Sequence, residues 1–323
     1  IDDVISMSLG GKIGGCGENQ AVTRADKAGI TVVAASGNGA SAPNYSPDKK
    51  DPKCGGAGNS LAPNVCGVSF PAAFPTVVAV GALNSSLEKT DFSQWGPELD
   101  ITAPGAAVVS SVPRGTGRES NVMLEVNGVK QMVKSSAFGG TELFTNPVVN
   151  KLVAIPGVGK PEDFAGTDVA GKFALISRGE IKFADKVKNA IEAKAAGVII
   201  YNNKPGLMQG SLSEDGSLLN LPVIMIEQTT GTAVVAELAK GIQVSAAIST
   251  TPSDYAAFDG TSMATPHVAG VVALIKSANK KLTPAQVRAI LTSTARSLAP
   301  NNTNQFGAGL VQADLAVKKA VGR

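Results

Sequence analysis

The chain has 323 residues, 43% of them apolar, and a formal net charge of +3. That is enough apolar material for one large core or two ordinary ones, and the small net charge without a dense Lys/Arg block argues against nucleic-acid binding. The longest apolar runs, such as Ala195–Ile200 with Gly197 inside it, are too short to span a bilayer.

In chain order, "IDDVISMSLGG" begins on a strand-like pattern with no basic segment leading into an apolar one. A chain that opens on a core strand is expected to have been cut from something longer. Residues 19–28, "NQAVTRADKA", suit a helix capped by Asn19 and closed by Gly29. Ile30–Ala35 and Val77–Ala82 are short apolar runs ending in polar turns, the pattern of buried parallel strands. This rhythm predicts an α/β sheet with helices over its faces.

The middle has its own set of elements. "GKFALISRG", "VIIYNN" and "LPVIMI" read as strands, and "IKFADKVKNAIEAKAAG" and "TTGTAVVAELAKG" as helices. The expected domain limits are 1–115, 116–252 and 253–323, the first and last forming one domain and the middle a separate lobe. Near the end, Thr283 followed by Pro284 starts a helix, and "QADLAVKKAV" forms another.

The cysteines are Cys16, Cys54 and Cys66. Cys54 and Cys66 flank a loop rich in Gly, Ala, Asn and Pro, which has little core of its own. A disulfide there would contribute about 2–4 kcal/mol and would fit a secreted protein; two free thiols are the alternative. Cys16 is left over. The spacing gives no zinc site, since only one histidine is present.

"GTSMATPHVAG", residues 260–270, sets Ser262 between small residues ahead of an apolar, helix-compatible run. A helix N-terminus offers free N–H groups and a positive dipole end, which suit an oxygen that becomes negative during acyl transfer. A plain helix cap is the competing reading. His267, the single histidine, is five residues further on, about 140° around the helix from Ser262. It cannot come within the ~3 Å that a general base needs. It is expected to be a structural residue packed beside this helix.

"GTSMATPHVAG" resembles the nucleophile motif of the subtilisin-like serine proteases, the subtilases. "VISMSLGG" resembles their substrate-binding strand and "VVAASGNGA" their oxyanion-hole block. "FPTVVAVGALN" and "FSQWGPELDITAPG" are similar to further segments of the family. The likeness covers residues 1–113 and 254–323. The middle resembles a protease-associated (PA) domain, which several subtilases carry at this place. The implied fold is a partial subtilisin-like three-layer α/β fold with a mainly parallel sheet, plus an inserted β-rich α+β PA domain.

The resemblance implies a serine endopeptidase acting through a Ser262 acyl-enzyme, with Asn38 as oxyanion donor. Ser8, Leu9 and Gly10 would pair with an extended substrate. Ala34, Ala35, Ser36 and Gly37 would line the primary pocket, with Ser69 near its base. Family order places the catalytic Asp and His blocks before "VISMSLGG", and neither is here; Asp2 and Asp3 do not match them. The isolated chain is therefore expected to be inactive without an upstream segment. The alternative is a non-catalytic fragment that binds peptides or proteins through the PA domain. Substrates would be proteins or peptides, with no nucleic acid or membrane span involved. No cofactor is required; a structural calcium is the one ion the resemblance allows. It would be held by Glu98 and Asp100, two apart on a strand, with carbonyls near Ala72 and Phe74.

Overall fold

The computed structural model describes residues 4–42, 44–50, 66–208, 210–213 and 217–322. The chain starts with β1 (Val4–Met7), α1 (Cys16–Lys27), β2 (Thr31–Ala35), β3 (Val77–Leu83) and β4 (Ile101–Pro104). Next come β5 (Val108–Ser111), β6 (Gly117–Val126), β7 (Val129–Val133), β8 (Ser135–Ala137) and β9 (Val148–Ala154). They are followed by β10 (Phe173–Ser177), α2 (Phe183–Glu192), β11 (Gly197–Tyr201), β12 (Val223–Ile226) and α3 (Gln228–Ala239). The last elements are β13 (Val244–Ser253), β14 (Tyr255–Phe258), α4 (Thr261–Ala278), α5 (Pro284–Thr294), α6 (Thr303–Phe306) and α7 (Ala313–Ala320).

Two compact units result: Ile1–Val108 with Asp259–Arg323, and Val109–Phe258. The expected limits at 115/116 and 252/253 fall inside the second unit. There Val112 N–H donates to the Asp254 carbonyl and β14 pairs with β5.

In the first unit, β1-β2-β3-β4 form a parallel sheet in that order. Alternation sorts its side chains. Val33, Val78, Val80 and Ile101 pack with Val268, Val272 and Ile275 of α4. Val32, Ala34, Val77 and Ala79 pack with Val22 of α1 on the other face. Helix, sheet and helix make the layers of an α/β fold. β2 and β3 are buried at every residue, as strands covered on both faces should be. β1 is not: among the described residues it borders one strand only, and Ile5 and Ser6 are exposed.

Local signals set the helix ends. α5 has a capping box: Thr283 Oγ1 accepts from Gln286 N–H at 3.3 Å while Gln286 Oε1 accepts from Thr283 N–H at 2.9 Å. Gly29 follows α1 at φ +84°, a conformation that favours glycine. At its other end α1 starts three residues earlier than expected. Gly15 is the N-cap, and Asn19 lies one turn inside, its N–H bonded to the Gly15 carbonyl at 3.0 Å. An extended glycine ahead of "CGE" lets the first turn form without a capping side chain.

The second unit has an eight-stranded sheet ordered β7-β6-β13-β9-β10-β11-β12-β8. The run β9-β10-β11-β12 is parallel and the remaining pairs are antiparallel. Val187 and Ala190 of α2 pack on one face with Ile176, Val198 and Ile200; Val234 of α3 packs on the other with Leu175, Ile199 and Ile224.

Candidate active site

The loops that leave the carboxyl ends of β1 and β2 meet the start of α4. Asn38 Oδ1 accepts from the Thr261 N–H and the Thr261 hydroxyl, both at 2.9 Å. A main-chain N–H can only donate, so the amide oxygen must face Thr261 and Nδ2 must turn away from it. Gly37 N–H donates to Thr261 Oγ1 at 3.2 Å, which fixes the other side of the turn.

A Cβ added to Gly260 would lie 3.4 Å from Asn38 Nδ2 and 3.5 Å from Ser262 N. Two donors therefore flank one point at the N-terminus of α4. Gly260 is the N-cap and supplies no side-chain bond; Thr261 N–H is taken by Asn38 and Met263 N–H by the Gly260 carbonyl, so among the described residues the Ser262 N–H is left for another acceptor. Gly260 is itself held by its N–H bond to the Gly105 carbonyl at 2.8 Å.

Ser262 Oγ donates to the Ser8 carbonyl at 3.1 Å, and Ser8 Oγ donates to the Ser262 carbonyl at 2.7 Å. Pro266 explains the second bond. It lies inside α4, a turn further in than a first-turn proline, and lacks the N–H that would reach back to the Ser262 carbonyl. The hydroxyl of Ser8 takes the vacant place. Leu9 is 55% exposed and Gly10 is exposed too. Among the described residues their main-chain groups have no hydrogen-bond partner, which leaves an open extended edge. Gly11 closes it by exchanging two bonds with Phe70, at 2.8 and 2.9 Å.

His267 does not approach Ser262. Its Nδ1 donates to the Met263 carbonyl at 2.8 Å on the same helix. It is exposed, which corrects the expectation that it packs beside the helix. The expected pocket wall is also narrower. Ala34, Ala35 and Ser36 are buried, because β2 is covered on both faces; of that run only Gly37 reaches partial exposure. Ser69 is nearly buried, and its N–H donates to the Ser36 carbonyl at 2.8 Å.

Glu98 and Asp100 do not share a strand face. Glu98 sits in a turn, which ends the two-residue alternation on which that pairing depended. Asp100 is occupied already: Oδ1 accepts from Arg288 Nε at 2.7 Å and Oδ2 from Ala79 N–H at 2.8 Å. Burial pushes its carboxyl above the usual range, opposed by the Arg288 charge. Glu98 faces Lys49 at 3.8 Å, and the Phe74 carbonyl is taken by Val77 N–H. Two protein cations hold the carboxylates, so these residues do not fit a calcium ion. Among the described residues no group of three or more His, Cys, Asp and Glu could hold a metal.

Cys16 is free and exposed. Cys54 lies outside the described residues, and with it the expected bridge to Cys66. No helix among the described residues is long and apolar enough to cross a membrane.

Sequence reading missed Gln94, whose bonds reach both the Asn38 turn and Ser69. Its position between Ser93 and Trp95 carries no signal that could have singled it out.

Comparison with known proteins finds two families along the chain. The subtilase family model matches residues 2–137, and the PA domain model matches residues 144–234. Minor extracellular protease Vpr of Bacillus subtilis is 29% identical over 50% of this chain and 26% of its own length. Subtilisin amylosacchariticus, from Bacillus subtilis subsp. amylosacchariticus, is 40% identical over 35% of this chain and 25% of its own. The chain thus spans about a quarter of the length of these relatives. Among solved structures, the psychrophilic subtilisin-like protease Apa1 from Pseudoalteromonas sp. AS-11 has a TM-score of 0.63 and 27% identity. That match covers 99% of this chain and 72% of Apa1. By fold, motif and family match the chain carries a subtilase-family unit with a PA domain inserted in it.

Proposed function

We propose that the chain is the nucleophile-bearing part of a serine endopeptidase. The observation that carries this is the meeting of Asn38 Nδ2, the Ser262 N–H and the Ser262 hydroxyl at the start of α4. In this reading an extended peptide pairs with the main chain of Ser8–Gly10. Gly37 and Ser69 border the side chain next to the scissile bond. Ser262 Oγ attacks the carbonyl carbon, and the oxygen that gains charge sits between Asn38 Nδ2 and the Ser262 N–H. Collapse of the tetrahedral intermediate leaves an acyl-enzyme on Ser262 and releases the amine; water then hydrolyses the ester.

The proton of Ser262 needs a base. Among the described residues its hydroxyl meets only the Ser8 carbonyl, which cannot accept a proton at neutral pH. We assign the base to a His, oriented by an Asp, supplied by a segment outside these 323 residues. The exposed side of β1 gives such a segment a strand to join. Secretion and a Cys54–Cys66 bridge belong to the same reading, with the extracellular relative in support. Mass mapping without reductant reports on the bridge: both thiols free would end that part.

The test is a serine-directed fluorophosphonate probe on the complete gene product, with Ser262→Ala as control. Labelling and peptide turnover should both vanish in the variant. Turnover that survives Ser262→Ala would overturn the assignment. Robust Ser262-dependent turnover by the 323-residue chain alone would overturn the need for an outside base.

A further inference from the structure

Asn38 is exposed, and among the described residues its own side-chain bonds run only to Thr261. Something else must keep its turn in place, and one buried amide brackets it. Gln94 is 4% exposed. Its main-chain N–H donates to the Gly37 carbonyl at 2.9 Å, and its Oε1 accepts from Gly39 N–H at 3.1 Å. These are the two neighbours of Asn38. The same side chain grips a second segment. Oε1 also accepts from the Ser69 hydroxyl at 3.2 Å, and Nε2 donates to the Gly67 carbonyl at 2.8 Å.

The fit leaves no slack. A Cβ on Gly37 would come within 2.2 Å of Gln94 Oε1 and 2.4 Å of Ser69 Oγ. Gly37 also sits at φ +106°, where other residues are strained. The turn is thus pressed onto the amide, and both ends of the amide are used.

We propose that Gln94 is a positioning residue for oxyanion stabilisation. It ties the Asn38 turn to the Ser69 segment, so that Nδ2 stays aimed at the point facing the Ser262 N–H. This rests on the serine-peptidase reading above. Its consequence is specific. Removing the amide releases Gly39 and lets Asn38 swing, which weakens a bond made to the developing oxyanion. The Ser8–Gly10 edge, on another loop, still binds substrate. Ser69, which borders the substrate side chain, also loses a partner, so the loss falls mainly on kcat with a smaller rise in KM.

Gln94→Met keeps the length and removes both polar ends. In the complete gene product it should lower kcat by about 10–100-fold, with KM raised by less than about fivefold. In an Asn38→Ala background the same change should cost little more, because the residue it positions is gone. Gln94→Asn keeps a neutral amide that is one methylene too short to hold Gly39 and Gly67 together; it should lose less, and it serves if Gln94→Met fails to fold. Hydrogen exchange, read by mass spectrometry over residues 36–42, should accelerate in either variant while β3 stays protected. An unchanged kcat, an equal loss in the Asn38→Ala background, or unchanged exchange would overturn the proposal. If the wild type shows no Ser262-dependent turnover, the peptidase reading fails and the exchange result alone decides whether the clamp exists.

Discussion

In each unit buried polar side chains pin loops, and the one that brackets the Asn38 turn differs in chemistry from one in the second unit. The first uses the neutral amide of Gln94, donor and acceptor both spent. The second uses the ammonium of Lys186, 0% exposed, which donates to the carbonyls of Val158, Ser177 and Gly179 at 2.5, 3.1 and 2.8 Å. Asp163 gathers the complementary donors: its Oδ2 accepts from the N–H groups of Val158, Gly159 and Lys160 at 3.0, 2.8 and 2.8 Å. An amide is neutral at every working pH and places no net charge beside a nucleophile. An ammonium has three donors for three carbonyls, and its cost is desolvation, which pulls Lys186 from 10.5 down to about 8. The difference teaches that the side chain bonded on both sides of Asn38 is one that does not titrate, so its contribution to the field at a developing negative charge stays constant with pH.

The largest expected effect sharpens the first half of that comparison. Asn38→Ala in the complete gene product should lower kcat by about 10²–10³ with little change in KM, because its bond strengthens as the oxyanion forms. A loss confined to KM would put Asn38 in ground-state binding and leave Gln94 clamping a binding turn. Next is Lys186→Met, which should destabilise the second unit by roughly 3 kcal/mol in urea unfolding, since three carbonyls lose their donor. Near-wild-type stability would mean that water replaces the ammonium.

The third prediction is the pH signature itself. The unfolded chain keeps the Lys186 proton up to about 10.5, the folded unit only to about 8. Between these values the unfolded state binds more protons, so the stability of the second unit should rise with pH across that window. Lys186→Met should flatten the slope, whereas Gln94→Met should leave it intact. A slope that persists without Lys186 would assign it to another group. The smallest effect is that of His267→Ala, within about 0.5 kcal/mol, because the ring is exposed and bonds only within its own helix. A thermal shift of many degrees would show that the histidine packs after all.

Much of the frame was legible in the sequence. The apolar runs of β2 and β3, the Thr283–Pro284 start of α5, Gly29 after α1, and the strands and helices of the middle segment follow from propensities and caps that act within a few residues. The "GTSMATPHVAG" stretch likewise located Ser262, and helix geometry alone separated His267 from it. Where local reading failed, a neighbour far along the chain decided. Asp100 was promised to a cation and is held by Arg288, 188 residues away. Ala34 and Ala35 were expected to line a pocket, and the sheet buries their side chains.

The bonds of the candidate site are of the same kind. Asn38 meets Thr261 across 223 residues, and Ser8 meets Ser262 across 254. Sequence by itself determined which segments become strands and helices and which serine stands at a helix start, because those depend on backbone sterics, caps and periodicity. Only the tertiary structure decided which polar groups are paired, as with Gln94, Lys186 and the Ser262 carbonyl freed by Pro266. A buried donor or acceptor must be satisfied by whatever the packing brings within about 3 Å, and that partner is set by the sheet and not by chain distance.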